Sequence, residues 1–332
     1  MACPPTSYLA SPESMKSICH FITILEVPFH VIGTYCILAK TPEKMKNVKW
    51  SMLNLHLITT LFDLAMTLFL VPFVMFPSFA GYPLGLLNDL GVSSTFQVYL
   101  GVSTIAVTGV ATLSVFENRY YRLFLNVHWQ KYRRFYLGFN YFLAFSFFSY
   151  PFSEIPDQDY GRQVVMERLP CASRMPGINP QTIYVFSLDT TIPICLIAFM
   201  VCVIVSQIVI LFVITIKKLI DKNQSLSVNT YQIQKKFMIA IFIQFLVTVV
   251  LFALPICLIC YSVFTDSFSQ AINNLCFVTL AFYGLISTIT MITFHQPYRH
   301  SVFGWIRKNS KQKMMVIKRR KKASISNNLH HF

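Results

Sequence analysis

Apolar residues gather into seven stretches separated by polar gaps. They run from about Ile18 to Ala39, Trp50 to Phe76, Val92 to Phe116, Phe135 to Phe152, Thr190 to Ile216, Phe237 to Phe264 and Ala271 to Phe294. Each is about long enough to cross a roughly 30 Å hydrocarbon layer as a helix. The pattern predicts an all-α membrane protein, a bundle of seven transmembrane helices. The second stretch is long enough to tilt or to kink at Pro72, and Pro255 lies inside the sixth. Three regions follow: an N-terminus over 1–17, a seven-helix domain over 18–299, and a basic tail over 300–332.

Charge orients the bundle. Of the 28 Lys and Arg residues, 24 lie in the first, third and fifth gaps and in the segment from Arg299 onward; the others are Lys16, Arg162, Arg168 and Arg174. Short cytoplasmic loops retain Lys and Arg, so the N-terminus is expected outside and the C-terminus in the cytoplasm. The net charge of +15 does not indicate nucleic acid, because it sits in short juxtamembrane loops facing an acidic inner leaflet. Residues 1–17 lack the pattern of a cleavable signal peptide, so the first helix is expected to act as the insertion signal. In the tail, Val302, Phe303 and Ile306 recur at helical spacing beside basic residues, which fits an amphipathic helix on the membrane surface. The run Lys318–Lys322 reads as lipid-facing or solvated. Asn223-Gln224-Ser225 is the one glycosylation sequon, and on this topology it faces the cytoplasm and stays unmodified.

Composition agrees: 55% of residues are hydrophobic and only 12% charged, too apolar for an ordinary soluble domain. Of nine cysteines, Cys36, Cys195, Cys202, Cys257, Cys260 and Cys276 lie in apolar stretches and read as packing residues. Cys3, Cys19 and Cys171 lie on or near the oxidising side. Cys171 stands in the long second outer loop, roughly Ser153 to Asp189. The preferred disulfide is Cys3 to Cys171, tying the N-terminus across that loop, with Cys19 as the competing partner.

Ionisable residues inside the bilayer need partners. Glu26 and His30 share a face of the first helix, being four apart. His30 and Asp63 each lie about twelve or thirteen residues below the outer end of their helices, near 18–20 Å deep at about 1.5 Å per residue. A contact between them, direct or through water, is the hypothesis; separate backbone or hydroxyl partners are the alternative. A metal site adding Glu26 and His56 is not expected, because the spacing matches no metal motif and the depths differ. At the inner end of the third helix, Glu117 and Arg119 are either interfacial anchors or a clasp in which Glu117 holds Arg119; spacing does not decide. The sequence contains no nucleophile elbow, P-loop, H-E-x-x-H or dinucleotide fingerprint, so no enzyme activity and no cofactor are expected. The seventh stretch holds no Lys, which excludes a retinal-type Schiff base there.

Glu117-Asn118-Arg119-Tyr120 resembles the Asp/Glu-Arg-Tyr motif of rhodopsin-like G-protein-coupled receptors with one residue inserted, and Asp63 resembles their second-helix acid. Tyr35-Cys36-Ile37-Leu38, Lys40-Thr41-Pro42-Glu43-Lys44-Met45-Lys46, Val48-Lys49-Trp50, Phe116 to Tyr121, Ile155-Pro156-Asp157-Gln158, Leu169-Pro170-Cys171 and Pro297-Tyr298-Arg299 resemble the nematode class H serpentine receptors (Srh) of the Str chemoreceptor superfamily. The likeness runs from about Cys3 to Arg299. It implies a multi-pass plasma-membrane chemosensory receptor, in sensory-neuron cilia, that binds a small-molecule cue and couples to a heterotrimeric G protein through Glu117, Asn118, Arg119 and Tyr120. The third helix carries Ser93, Ser94 and Thr95 where rhodopsin-like receptors have a cysteine, which favours Cys3 as the partner of Cys171. Its face Gln97, Gly101, Thr104 and Thr108, joined by Tyr261 and Asn274, is the expected ligand pocket. Ordinary packing by small and hydroxyl residues is the alternative. His30, Asp63, Pro255 and the Pro297-Tyr298-Arg299 segment are the expected switch and structural elements. The runner-up function is a ligand-gated cation channel of inverted seven-helix topology, which would need the opposite charge distribution.

Overall fold

The computed structural model describes residues 7–302 and 304, apart from 44–45, 125–126, 173–174, 176 and 222–227. Cys3, Asn223, the Lys318–Lys322 run and nearly all of the expected tail helix lie outside the described residues.

The bundle is built from α1 (Pro12–Lys40), α2 (Lys46–Leu64), α4 (Ser94–Phe124), α5 (Val127–Ser146), α8 (Thr191–Asp221), α9 (Val228–Phe264) and the pair α10 (Gln270–Ala281) and α11 (Tyr283–Phe294). Short helices α3 (Leu86–Asp89), α6 (Ser149–Ser153) and α7 (Gln158–Arg168) lie in the connections. Six segments are long and apolar enough to cross a membrane among the described residues. The other crossing, α5, begins with Lys131, Arg133 and Arg134, which dilute its hydropathy. Its exposed row Phe135, Phe139, Phe142 and Phe145 repeats at helical spacing and presents a lipid-facing edge.

Helix boundaries run past the apolar stretches. Ser11 caps α1 by accepting the Ser14 N–H, so the helix starts six residues before Ile18. Two departures matter more. The second crossing does not continue through Pro72. A π-helical turn follows at Ala65–Phe69, Val71 takes a positive φ of 44°, and Pro72 opens strand β1 (Pro72–Val74). Proline lacks the N–H that a helix needs and pushes the residue before it out of the right-handed region. The seventh crossing is broken at Phe282, where α10 ends and α11 begins.

Strand β1 pairs antiparallel with β2 (Phe79–Pro83), and β2 with β3 (Tyr184–Ser187) from the second long loop. This three-stranded sheet and α7 form a cap over one end of the bundle. Its core contains Met15, Cys19, Val71, Phe73, Met75, Val165, Leu169, Ile183 and Val185. Burial pushes the Tyr82 phenol up to about 12, so it remains a donor to the Gly177 carbonyl at 3.4 Å. Edge strand β3 is closed by a side chain: Gln158 accepts from the Val185 N–H and donates to the Val185 carbonyl, both at 3.0 Å.

Cysteine placement corrects one expectation. Cys36 and Cys276 are buried, but Cys195, Cys202 and Cys257 are exposed on α8 and α9. A helix facing lipid is apolar on every side, so hydrophobicity alone does not separate packing from lipid-facing positions. Cys171 is disulfide-bonded. Cys19 is free and buried, which removes it as the competing partner.

Candidate functional site

A polar cluster lies between α1, α2 and α11. Glu26 and Asp63 are fully buried and His30 is 4% exposed. His30 Nε2 and Asp63 Oδ2 are 3.1 Å apart, on two helices whose short connection makes them neighbours. Asp63 has a second task. The break at Phe282 leaves the first N–H groups of α11 without helical acceptors, and Asp63 Oδ1 accepts the Gly284 N–H at 2.9 Å. A Cβ at Gly284 would overlap that carboxylate, so glycine is what lets the acid reach the backbone. Thr67 donates to Glu26 Oε1 at 2.7 Å, while Glu26 Oε2 is buried without a partner. His56 stays outside this group: its Nε2 faces the His30 carbonyl at 3.0 Å. Depth alone does not keep Glu26 from this group: one of its carboxylate oxygens lies within 4.8 Å of the ligand atoms of His30 and Asp63.

The second cluster lies at the bundle end opposite the sheet, around Glu117-Asn118-Arg119-Tyr120. Glu117 is fully buried. It accepts from Trp129 Nε1 at 2.8 Å and from Arg133 Nη2 at 2.8 Å. The guanidinium of buried Arg119 lies over the Phe237 ring of α9, 3.2 Å from its centre. This differs from the clasp in which Glu117 holds Arg119. Residues two apart on a helix project to opposite sides, and each finds its partner on a different neighbour. Asn118 donates to Ser51 at 3.0 Å, and Tyr120 packs edge-on against Trp129. Tyr298 is fully buried, with its hydroxyl 2.8 Å from Thr41 Oγ1 and its ring stacked on His295. Pro297 is half-buried and Arg299 is exposed. Pro255 lies inside α9, which continues through it.

The expected pocket residues are only partly gathered. Gln97, Thr104 and Thr108 are buried, and a Cβ on Gly101 would touch Leu70. Thr104 and Thr108 donate to carbonyls of their own helix, which is the packing use of a hydroxyl. Gln97 donates to the Val92 carbonyl at 2.7 Å, leaving Oε1 buried and unpartnered. Asn274 is buried and donates to the Leu9 carbonyl at 2.8 Å. Tyr261 does not join them: it is 64% exposed, because that turn of α9 points it away from the bundle.

The chain matches the family described as serpentine type 7TM GPCR chemoreceptor Srh over residues 10–308. The chain belongs to the Srh family. It is 26% identical over 302 residues to serpentine receptor class H-72 of Caenorhabditis elegans, covering 90% of this chain and 87% of that protein. The Srh chain is therefore a multi-pass membrane protein of the chemoreceptor class, with seven crossings.

Several residues of this Srh bundle escaped the sequence reading. Trp129, Arg133 and Phe237 hold the Glu117 and Arg119 side chains, and Gly284 receives Asp63. Gln270 and Asn273 of α10 bind the carbonyls of Val74 and Phe76 in the cap, at 3.0 and 2.9 Å. Two polar amides at a helix start, Gln270 and Asn273, were the available signal; Phe237 offered none, being one apolar residue among many.

Proposed function

We propose that this Srh protein is a chemosensory receptor that binds a small-molecule cue in the cap-side half of the bundle and activates a heterotrimeric G protein from the opposite end. The observation that carries this reading is Arg119, a buried cation at the end of α4, packed on Phe237 of α9. Movement of α9 at Pro255 separates that ring from the guanidinium and presents Arg119 to a partner, together with the basic residues around it. The Lys and Arg distribution supports an extracellular cap side and a cytoplasmic tail, and the site of action is the plasma membrane of sensory cilia. Gln97 offers the cue a buried acceptor. Cys171 pairs with Cys3 and anchors the N-terminus to the cap. Ligand binding works as a population shift: moving a resting population from 1:99 to 99:1 takes about 5.5 kcal/mol of differential affinity.

The test is nucleotide exchange on a co-expressed G protein during a screen of volatile and water-soluble cues. Arg119→Ala is expected to abolish the cue-dependent signal at unchanged surface expression, and Gln97→Ala to shift the dose–response to higher concentration. Full signalling by Arg119→Ala would overturn the coupling role.

A further inference from the structure

We propose that Glu26, His30 and Asp63 form a binding site for one divalent cation of the zinc class, held between α1, α2 and α11 inside the membrane. This goes beyond the receptor reading and does not depend on ligand or G protein. Each side chain offers one ligand atom, and the three atoms lie within 4.8 Å of one another. All three residues are buried. The second, independent observation is Glu26 Oε2, an enclosed carboxylate oxygen with no hydrogen-bond partner. Such an atom is costly in hydrocarbon, and a cation is the partner that uses it.

Charge and donor type select the ion. Two carboxylates with a neutral imidazole carry two negative charges, which one divalent ion neutralises. A monovalent ion would leave a net charge in the membrane interior, where charge is most costly. Magnesium and calcium take oxygen ligands, whereas a nitrogen beside two carboxylate oxygens suits zinc and its neighbours. Zinc bonds of about 2.0–2.2 Å set tetrahedral ligand atoms about 3.3 Å apart. His30 Nε2 and Asp63 Oδ2 already stand at 3.1 Å, so the remaining contraction falls on the flexible Glu26 side chain. The ion takes the place of the proton between His30 Nε2 and Asp63 Oδ2, and the neutral imidazole then carries its proton on Nδ1, on the side of Thr288 Oγ1.

The surroundings orient the ligands as a metal site requires. Thr67 holds Glu26 Oε1 and the Gly284 N–H holds Asp63 Oδ1. Thr288 Oγ1 lies 3.5 Å from His30 Nδ1. Thr288 also lines a cavity of about 10 Å³ with His56, Thr59, Gln244 and Ser287. It has room for about one water and adjoins the site only through Thr288; a water carried in with the ion completes its four ligands.

The experiment is titration of the full-length protein in lipid nanodiscs with Co²⁺, followed by Zn²⁺ competition. The background carries His330→Ala and His331→Ala to remove the tail imidazoles. One Co²⁺ per chain is expected, with a tetrahedral visible band that Zn²⁺ removes. Glu26→Gln and His30→Gln should each weaken binding about tenfold or more, and the exposed-site control His128→Gln should not. Absence of stoichiometric binding, or unchanged affinity in both variants, would overturn the proposal. A thiolate-to-cobalt charge-transfer band in the background protein would also overturn it, by assigning the ion to cysteine without relying on any variant that fails to fold. Thermal stabilisation by Na⁺ over K⁺ without Zn²⁺ competition would do the same in favour of a monovalent site.

Discussion

At Gly284 a single missing methyl group decides how the seventh crossing meets the second. The Asp63 carboxylate fills the space a Cβ would take, and its oxygen caps the start of α11. Gly284→Ala should destabilise the folded protein by about 1–3 kcal/mol through overpacking alone. Gly138→Ala, inside α5 where nothing lies within 4 Å, should not lower the unfolding temperature in detergent. Glu117 makes a second residue-scale prediction. Arg133 is its ion-pair partner at 2.8 Å, with Glu117 fully enclosed and Arg133 22% exposed. Removing one partner of a buried pair costs about 3–5 kcal/mol, and the Trp129 donor that remains on Glu117 places Arg133→Gln at the low end. A double-mutant cycle of Glu117→Gln and Arg133→Gln should show a coupling above about 1 kcal/mol. Additive losses would mean that the pair is not coupled.

At the scale of elements, the cap depends on a side chain standing in for a strand. Gln158 satisfies both backbone groups of Val185 at the open edge of β3. Gln158→Ala leaves an N–H and a carbonyl without those partners, each worth about 1–3 kcal/mol if it stays dry. Hydrogen exchange at Val185 should accelerate severalfold while exchange in α4 stays unchanged; equal protection in the variant would show that the clip is dispensable. The elements were unequally legible. Seven apolar stretches are visible because a membrane-crossing helix must be apolar along its whole length. The sheet was not visible, since Pro72–Val74, Phe79–Pro83 and Tyr184–Ser187 are three to five residues each. Such runs acquire their partners only when the fold brings them together. The exit from α2 is not legible in the sequence because Pro72 can kink a helix or end one; Val71 with its positive φ ends it.

For the whole molecule, the charge distribution predicts that a tag at the N-terminus is accessible in intact cells and a tag at the C-terminus only after permeabilisation. It also predicts that Asn223 carries no glycan. The reverse pattern would move the cap to the cytoplasm and favour the channel reading. The same distribution separates two ends of different construction. One end is closed by the cap around the core of Met15, Phe73 and Val185. The other gathers Glu117, Arg119, Arg133 and Tyr298 beside the basic connections.

The sequence by itself determined the number of crossings, their order and the side on which basic residues gather, because hydropathy and topogenic charge are local properties written residue by residue. It also set His30 and Asp63 at one depth, since rise per residue is constant along a helix. Only the tertiary structure decided which polar groups meet. Glu117 faces Arg133 rather than Arg119, Tyr261 turns outward, Glu26 joins His30 and Asp63, and the seventh crossing breaks where Asp63 can cap it. In a bundle whose helices are apolar on every side, rotation about each axis is set by neighbours, and pattern along one helix does not carry that information.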